Sequence, residues 1–381
     1  MNKTEQHIFF HLLRTALWQR EPDATPFQTD DWQWRNILIA LDNHALLALA
    51  ADAIMTINDM LPPAKQLNPM QSMNLMQHCA SVAQTHYDLN AAVIKSFAQL
   101  QQAGCTPILL KGQGLATLYP IKNTRSCGDI DIYVGKQQFT KACHVIDEYC
   151  GNPYHEEEVQ DGDIHYKTSI GNIEFEIHHS ASYTSIPSIW DEYNQWAAEW
   201  LVPEKCMQTD ISDTKVDTPP YQFYVIYIFE HLLKHLRYEG VGVRQFIDWA
   251  MLLYNAMNTS ALSVPTLEKD LRRFHLLEAW QVLGGILVYQ IGLPKDKFPL
   301  WKERKARQSQ GKNLDFIVEC GNFGENITAN REFANMPPSM HRNILAFKHY
   351  LSRLQFEYQL LPWDTPRRFF RQLKARLKET I

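Results

Sequence analysis

Apolar positions recur at three- and four-residue steps over the first hundred residues. Ile8, Leu12, Leu13 and Leu17 share one helical face, and a second such stretch covers residues 34–54 before Pro62 and Pro63 break the pattern. A long helix is predicted over residues 70–100, with Met73, Met76, Val82, Tyr87, Leu89, Val93 and Phe97 on one stripe. Its methionines are expected to fill core rather than to form a cofactor site. The period changes at Gly104. Residues 106–110 read as a short buried strand ending in Lys111-Gly112-Gln113-Gly114, with a helical turn over 115–119 closed by Pro120. Residues 129–134 alternate as a second strand, and 137–149 return to helical spacing. Two alternating runs, 165–170 and 173–178, flank Gly171-Asn172, a two-residue loop of the kind that joins a β-hairpin. A polar stretch ends at Pro219-Pro220. Helical spacing then resumes over 221–236, 244–257, 266–290 and 339–360, with a polar, basic loop expected over 302–313.

This order predicts an α+β chain. A small mixed-sheet core over 104–205 is expected between an N-terminal helical region, 1–103, and a C-terminal helical domain, 206–381. The length of 381 residues suits two or three structural units. With 45% hydrophobic and 21% charged residues, the composition excludes a disordered chain and a disulfide-stapled miniprotein. A net charge of −5 removes the bulk electrostatic case for a nucleic-acid partner. The seven cysteines include no C-x-x-C pair, which argues against a zinc ribbon or a disulfide framework. No stretch reaches the roughly 18 apolar residues of a membrane span, and residues 1–23 lack the apolar run of a secretory signal. A cytoplasmic protein without a transmembrane segment is expected.

The sharpest chemical signal is Asp129-Ile130-Asp131. Strand alternation puts both carboxylates on one face, roughly 6–7 Å apart, while Ile130 and Ile132 point to the core. Two acids on one rigid face call for a cation, and Mg²⁺ prefers such oxygen ligands together with water and phosphate. On 173–178, Glu174, Glu176 and His178 share one face, so a third carboxylate is at hand for a two-metal phosphoryl or nucleotidyl transfer site. Gly112 lets the backbone approach a phosphate closely, and amides at a helix start favour anions. Arg125, four residues before Asp129, is a candidate for neutralising a polyphosphate.

Together these residues resemble the nucleotidyltransferase superfamily, the fold of DNA polymerase beta and kanamycin nucleotidyltransferase. The nearest pattern is that of uncharacterised bacterial nucleotidyltransferases, which combine an L-K-G loop, an upstream Arg, D-I-D and an acidic-x-His strand. Here these elements are Leu110-Lys111-Gly112, Arg125, Asp129-Ile130-Asp131 and Glu176-Ile177-His178. The resemblance implies Asp129, Asp131 and Glu176 as catalytic ligands of Mg²⁺, with Mn²⁺ as the alternative ion. It implies Lys111, Gly112, Gln113, Gly114 and Arg125 as the nucleotide-binding set. Two departures stand out: Gln113 replaces the usual Gly or Ser, and the third acid is Glu rather than Asp. The implied reaction is attack of an acceptor hydroxyl on the α-phosphorus of a nucleoside triphosphate, with release of pyrophosphate. The acceptor is expected to be a small molecule or a protein. The alternative is a catalytically weak nucleotide-binding or antitoxin-like partner protein on the same fold.

Other features compete for attention. His231 and His235 stand at i, i+4, the spacing of a zinc pair, and would support a zinc hydrolase if a third ligand existed. With His178 and Arg244 they are also candidate substrate contacts, on the expectation that the site opens between the Asp-x-Asp sheet face and the C-terminal helices. Arg244 and Asp248 read equally as an intrahelical ion pair. Residues 367–378 form a basic amphipathic pattern, and 147–158 with 161–163 are acidic and read as loop.

Overall fold

Helix α1 (Lys3–Trp18) starts at Asn2, whose side chain accepts from the Glu5 amide while Glu5 answers with its carboxylate, a reciprocal cap. The computed structural model describes residues 1–152, 164–238, 240–320 and 354–370. The predicted helical run over 34–54 is two helices, α2 (Trp34–Asn43) and α3 (Leu47–Met60), because the chain turns through a left-handed Ala45, φ 56°. Helix α4 (Pro69–Gln102) has the same reciprocal cap at Asn68 and proline at its first position, where no amide is lost. Its methionine stripe departs from the expectation of core. Met73, Met76 and Tyr87 are exposed, whereas Leu89, Val93 and Phe97 are buried. Only the C-terminal half of α4 lies against the sheet's apolar core.

That core belongs to a four-stranded mixed sheet. Strand β1 (Ile108–Leu109) runs antiparallel to β2 (Asp129–Tyr133). Between them the predicted helical turn is one short turn, α5 (Gln113–Ala116). After β2 comes α6 (Gly135–Cys150), which closes on a left-handed Gly151. The hairpin follows as β3 (His165–Ile170) and β4 (Ile173–His178), with Gly171 at φ 59° in its turn. The strand order is β1-β2-β4-β3, with β2 and β4 parallel. Leu109, Ile130, Ile132, Tyr166, Phe175 and Ile177 point to one side and pack with Val93 and Phe97 of α4 and Ala142 and Ile146 of α6.

Helix α7 (Trp190–Trp200) leads to a second hairpin, β5 (Met207–Ile211) and β6 (Thr214–Thr218), within the stretch that reads as merely polar. Ile211 and Val216 join the same core. The chain up to Tyr224, apart from residues 184–187, forms one unit; residues 184–187 and the chain from Val225 onward form another. Helix α8 (Tyr221–Tyr238) runs across that division. The second unit contains α9 (Val243–Asn258), α10 (Val264–Arg273) and α11 (Leu277–Ile286), with the predicted run over 266–290 interrupted at a left-handed His275, φ 57°. Where a basic loop is expected, α12 (Glu303–Ala306) and α13 (Lys312–Cys320) form instead. Ala306 and Ser309 pack so closely on Gly285 that a Cβ there would collide with them. Of the features read at 339–360, 147–158, 161–163 and 367–378, the portions at 339–353, 153–158, 161–163 and 371–378 lie outside the described residues. The fold is α+β, a small mixed sheet with helices before and after it.

Candidate active site

Strand register assembles the chemistry. Between β2 and β4, Asp129 stands beside Glu174, Asp131 beside Glu176 and Tyr133 beside His178. From β3, His165 pairs with His178 and Lys167 with Glu176. Because alternate residues share a face, the polar members all project opposite the core. One ligand oxygen each from Asp129, Asp131 and Glu176 lies within 4.8 Å of the others.

Asp131 is wholly buried. The Lys111 ammonium donates to its Oδ1 at 2.6 Å, and His178 Nε2 lies 3.1 Å from the same oxygen. A carboxylate only accepts, so the imidazole is the donor there. His178 Nε2 is also 3.4 Å from Glu176 Oε2. Lys167 bridges Glu176 Oε1 at 2.5 Å and Glu174 Oε1 at 3.0 Å. Burial alone pushes the Asp131 carboxyl up, but Lys111 and His178 outweigh it and hold the group below its usual range. Burial likewise opposes ionisation of Glu176, and His178 with Lys111 and Lys167 reverses the balance downward. Burial disfavours the His178 cation, yet its hydrogen bonds to Asp131 and Glu176 raise it. The same competition, won by Asp131, raises Lys111. His165 is lowered, chiefly by burial.

The loop before this face is built around glycine. Gly112 takes φ 53° and ψ −115°, and a Cβ there would stand 3.1 Å from the Asp129 carbonyl oxygen. Gln113 is buried, and its amide donates to His86 Nδ1 at 3.1 Å and to Asn90 Oδ1. His86 Nε2 in turn donates to the Arg125 carbonyl at 2.5 Å, and burial lowers the His86 pKa, as suits a neutral ring with one donor and one acceptor nitrogen. Arg125 is itself buried, with Nη1 2.8 Å from Cys127 Sγ. Gly114 packs against Thr218 of β6. The structure thus brings Asp129, Asp131, Glu176, Lys111 and His178 into one cluster, and gathers Gln113 and Arg125 around His86.

The family described as uncharacterised nucleotidyltransferase matches residues 30–283, two thirds of the chain and all of this cluster. The chain belongs to that family. No curated protein and no solved structure matches it. Membership gives, in general terms, a transferase acting on nucleotides. Among the described residues, no helix is long and apolar enough to cross a membrane.

For a nucleotidyltransferase the acids suit a divalent cation. Asp131 Oδ2 is buried and accepts no hydrogen bond from any described residue, an arrangement that leaves a ligand oxygen in want of a positive partner. Lys111 already holds the other oxygen as a stand-in charge. His231 and His235 lie on α8 in the second unit with their Nε2 atoms 3.0 Å apart, and Arg244 lies on α9. Among the described residues every group of three potential ligands is on the sheet, so the two histidines are a pair without the third ligand a zinc hydrolase needs.

Two members of the polar face, Lys167 and His165, are missing from the motif reading. The hairpin carries their signal: a two-residue loop at 171–172 fixes 170 opposite 173, and counting outward sets Lys167 opposite Glu176 and His165 opposite His178.

Proposed function

We propose that this nucleotidyltransferase moves a nucleoside monophosphate from a triphosphate to a hydroxyl of a small-molecule or protein acceptor, with Mg²⁺ or Mn²⁺ held by Asp129, Asp131 and Glu176. One observation carries the reading: three carboxylates from adjacent parallel strands converge within 4.8 Å on the polar face of a sheet whose other face is core. Divalent cations at such a cluster supply acidity to an attacking hydroxyl and neutralise the leaving pyrophosphate. The chain's own residues do the positioning. β2 and β4 fix the three carboxylates through their hydrogen-bonded register, and His178 ties Asp131 to Glu176 so that neither swings away. Lys111 and Lys167 add positive charge beside the acids, where a triphosphate would need it. Gly112 keeps the loop close to Asp129 without a side chain in the way.

The test is incubation with α-labelled nucleoside triphosphates and Mg²⁺ or Mn²⁺, scored for self-labelling and for labelled products in a lysate. The wild type should label, and Asp129→Asn/Asp131→Asn should lose the signal by orders of magnitude. Full activity in that double variant would overturn the assignment. Tight binding of Mg²⁺-ATP with no pyrophosphate release against any acceptor would favour a nucleotide-binding partner protein instead.

A further inference from the structure

Beside the three acids, the sheet carries a second convergence of a different chemical kind. His165 of β3 with Glu176 and His178 of β4 offer one ligand atom each, again within 4.8 Å of one another. The two histidines are cross-strand partners, with ring centroids 5.1 Å apart and planes tilted 45°. His178 is 3% exposed, and Nδ1 of both rings is buried with no hydrogen-bond partner among the described residues. A buried imidazole nitrogen without a partner is costly unless something binds it.

Glu176 has oxygens for two neighbours. Oε1 is taken by Lys167, while Oε2 faces His178 Nε2 at 3.4 Å. Two imidazoles and one carboxylate are the donor set of borderline transition metals, and three protein ligands leave a coordination position open. Magnesium is a poor occupant, since it demands near-octahedral oxygen ligation.

We propose that His165, Glu176 and His178 form a binding site for a borderline divalent transition metal of the Mn²⁺, Co²⁺ or Zn²⁺ class, sharing Glu176 with the acidic cluster. The site's catalytic meaning rests on the nucleotidyl-transfer reading; its existence does not. One ion at the acids would then be oxygen-ligated and the other imidazole-ligated, so the two positions differ in metal preference.

Cobalt tests this directly. Co²⁺ added to the full chain should bind near stoichiometrically and give the intense visible bands of low-coordinate, nitrogen-ligated cobalt. His165→Gln should weaken that binding by more than about a hundredfold, because loss of an outer partner alone costs about 10–100-fold. Asp129→Asn leaves all three ligands in place and should keep the bands at full stoichiometry. Wild-type protein that binds no Co²⁺, or binds it with only the faint spectrum of octahedral oxygen ligation, overturns the proposal without any variant. Bands unchanged in His165→Gln overturn it as well. Labelling by Mg²⁺ and triphosphate with no cobalt signature would sink this site and leave the transfer reading standing. A cobalt signature in a protein that never labels would do the reverse.

Discussion

Lys111→Met tests whether Asp131 is an ionised ligand awaiting a cation. The substitution preserves the length of the side chain and removes its charge. The lysine's side chain is 16% exposed and the aspartate's 1%, and they meet at 2.6 Å. Removing one member of a buried pair leaves an uncompensated charge, at a cost of about 3–5 kcal/mol. His178 still donates to the same oxygen, which places the expectation at the lower end, about 3 kcal/mol. For a unit of this size each kcal/mol is roughly 2–4 °C in melting temperature, so the variant should melt roughly 6–12 °C below wild type in chelator. Divalent cation should then recover much of the loss. A ligand at about 100 times its dissociation constant adds about 2.7 kcal/mol, and the variant should bind it more tightly because no ammonium competes for Asp131. Thermal melts of both proteins, in EDTA and across a Mg²⁺ or Mn²⁺ series, read out both effects. If Lys111→Met melts with wild type in EDTA, the buried ion pair is refuted. If it is destabilised but gains no more from cations than wild type does, Asp131 is not where the cation sits.

Three further expectations follow from the same geometry. Gly112→Ala forces a β-carbon onto φ 53° and to within 3.1 Å of the Asp129 carbonyl, a strain of about 1–2 kcal/mol that should lower the melting temperature and cut labelling through a displaced Asp129; unchanged labelling at unchanged stability would count against the loop's role. Gln113→Leu strips the donor from His86 and Asn90 and should cost about 1–3 kcal/mol while leaving the KM for triphosphate within a few fold, whereas a large KM rise at intact stability would show that the amide reaches substrate. Glu230 in α8 is fully buried, and that burial pushes its carboxyl from a usual 4.5 to about 7 despite the hydrogen bond it accepts from the Ser185 amide and the nearby Lys234 and Arg237 charges. The folded state therefore holds a proton that the unfolded state releases, so this group's contribution falls as pH rises from about 4.5 to about 7, by roughly 3 kcal/mol in all, and is flat above. Denaturant titrations of wild type and Glu230→Gln across that range should diverge accordingly, and parallel curves would contradict it.

The sequence makes the faces legible but not the partners. Alternation alone puts Asp129 with Asp131 and Glu174 with Glu176, and Gly171 announces the β3–β4 turn. It does not say that β2 and β4 run parallel with Asp131 beside Glu176, because that pairing spans α6 and is set by how Ile130, Ile132, Phe175 and Ile177 interdigitate in the core. The β5–β6 hairpin escapes for a local reason. Its turn places Ser212 and Asp213 at φ 45° and 65° with no glycine to mark them, and charged residues dilute its alternation. The exposed methionines of α4 show the converse limit. A stripe of the right period proves a helix, whereas burial depends on what the rest of the chain lays against it, and here Leu89, Val93 and Phe97 are covered while Met73, Met76 and Tyr87 are not. Gln113 was legible as a departure from the family's small residue, and its reason is tertiary, since the amide reaches into α4 to hold His86 and Asn90.

The polar face has a charge balance that bears on how a nucleotide would be bound. Four carboxylates, Asp129, Asp131, Glu174 and Glu176, face two ammoniums and the His178 imidazole. On its own this surface repels a triphosphate: unit like charges about 4 Å apart cost about 4 kcal/mol at an effective dielectric of 20. The same carboxylates attract divalent cations, and each one that binds adds two positive charges, so the first already cancels the negative excess of the face. Under the proposed reading the nucleotide's affinity is therefore created by the metal rather than supplemented by it. Lys111 and His178 let the acids stay ionised and ordered in the fold before any metal arrives. Without them, burial would drive Asp131 toward its neutral form, and a protonated carboxyl is a poor ligand. The cationic side chains thus serve the acids first, and a polyphosphate only once the acids hold their ions.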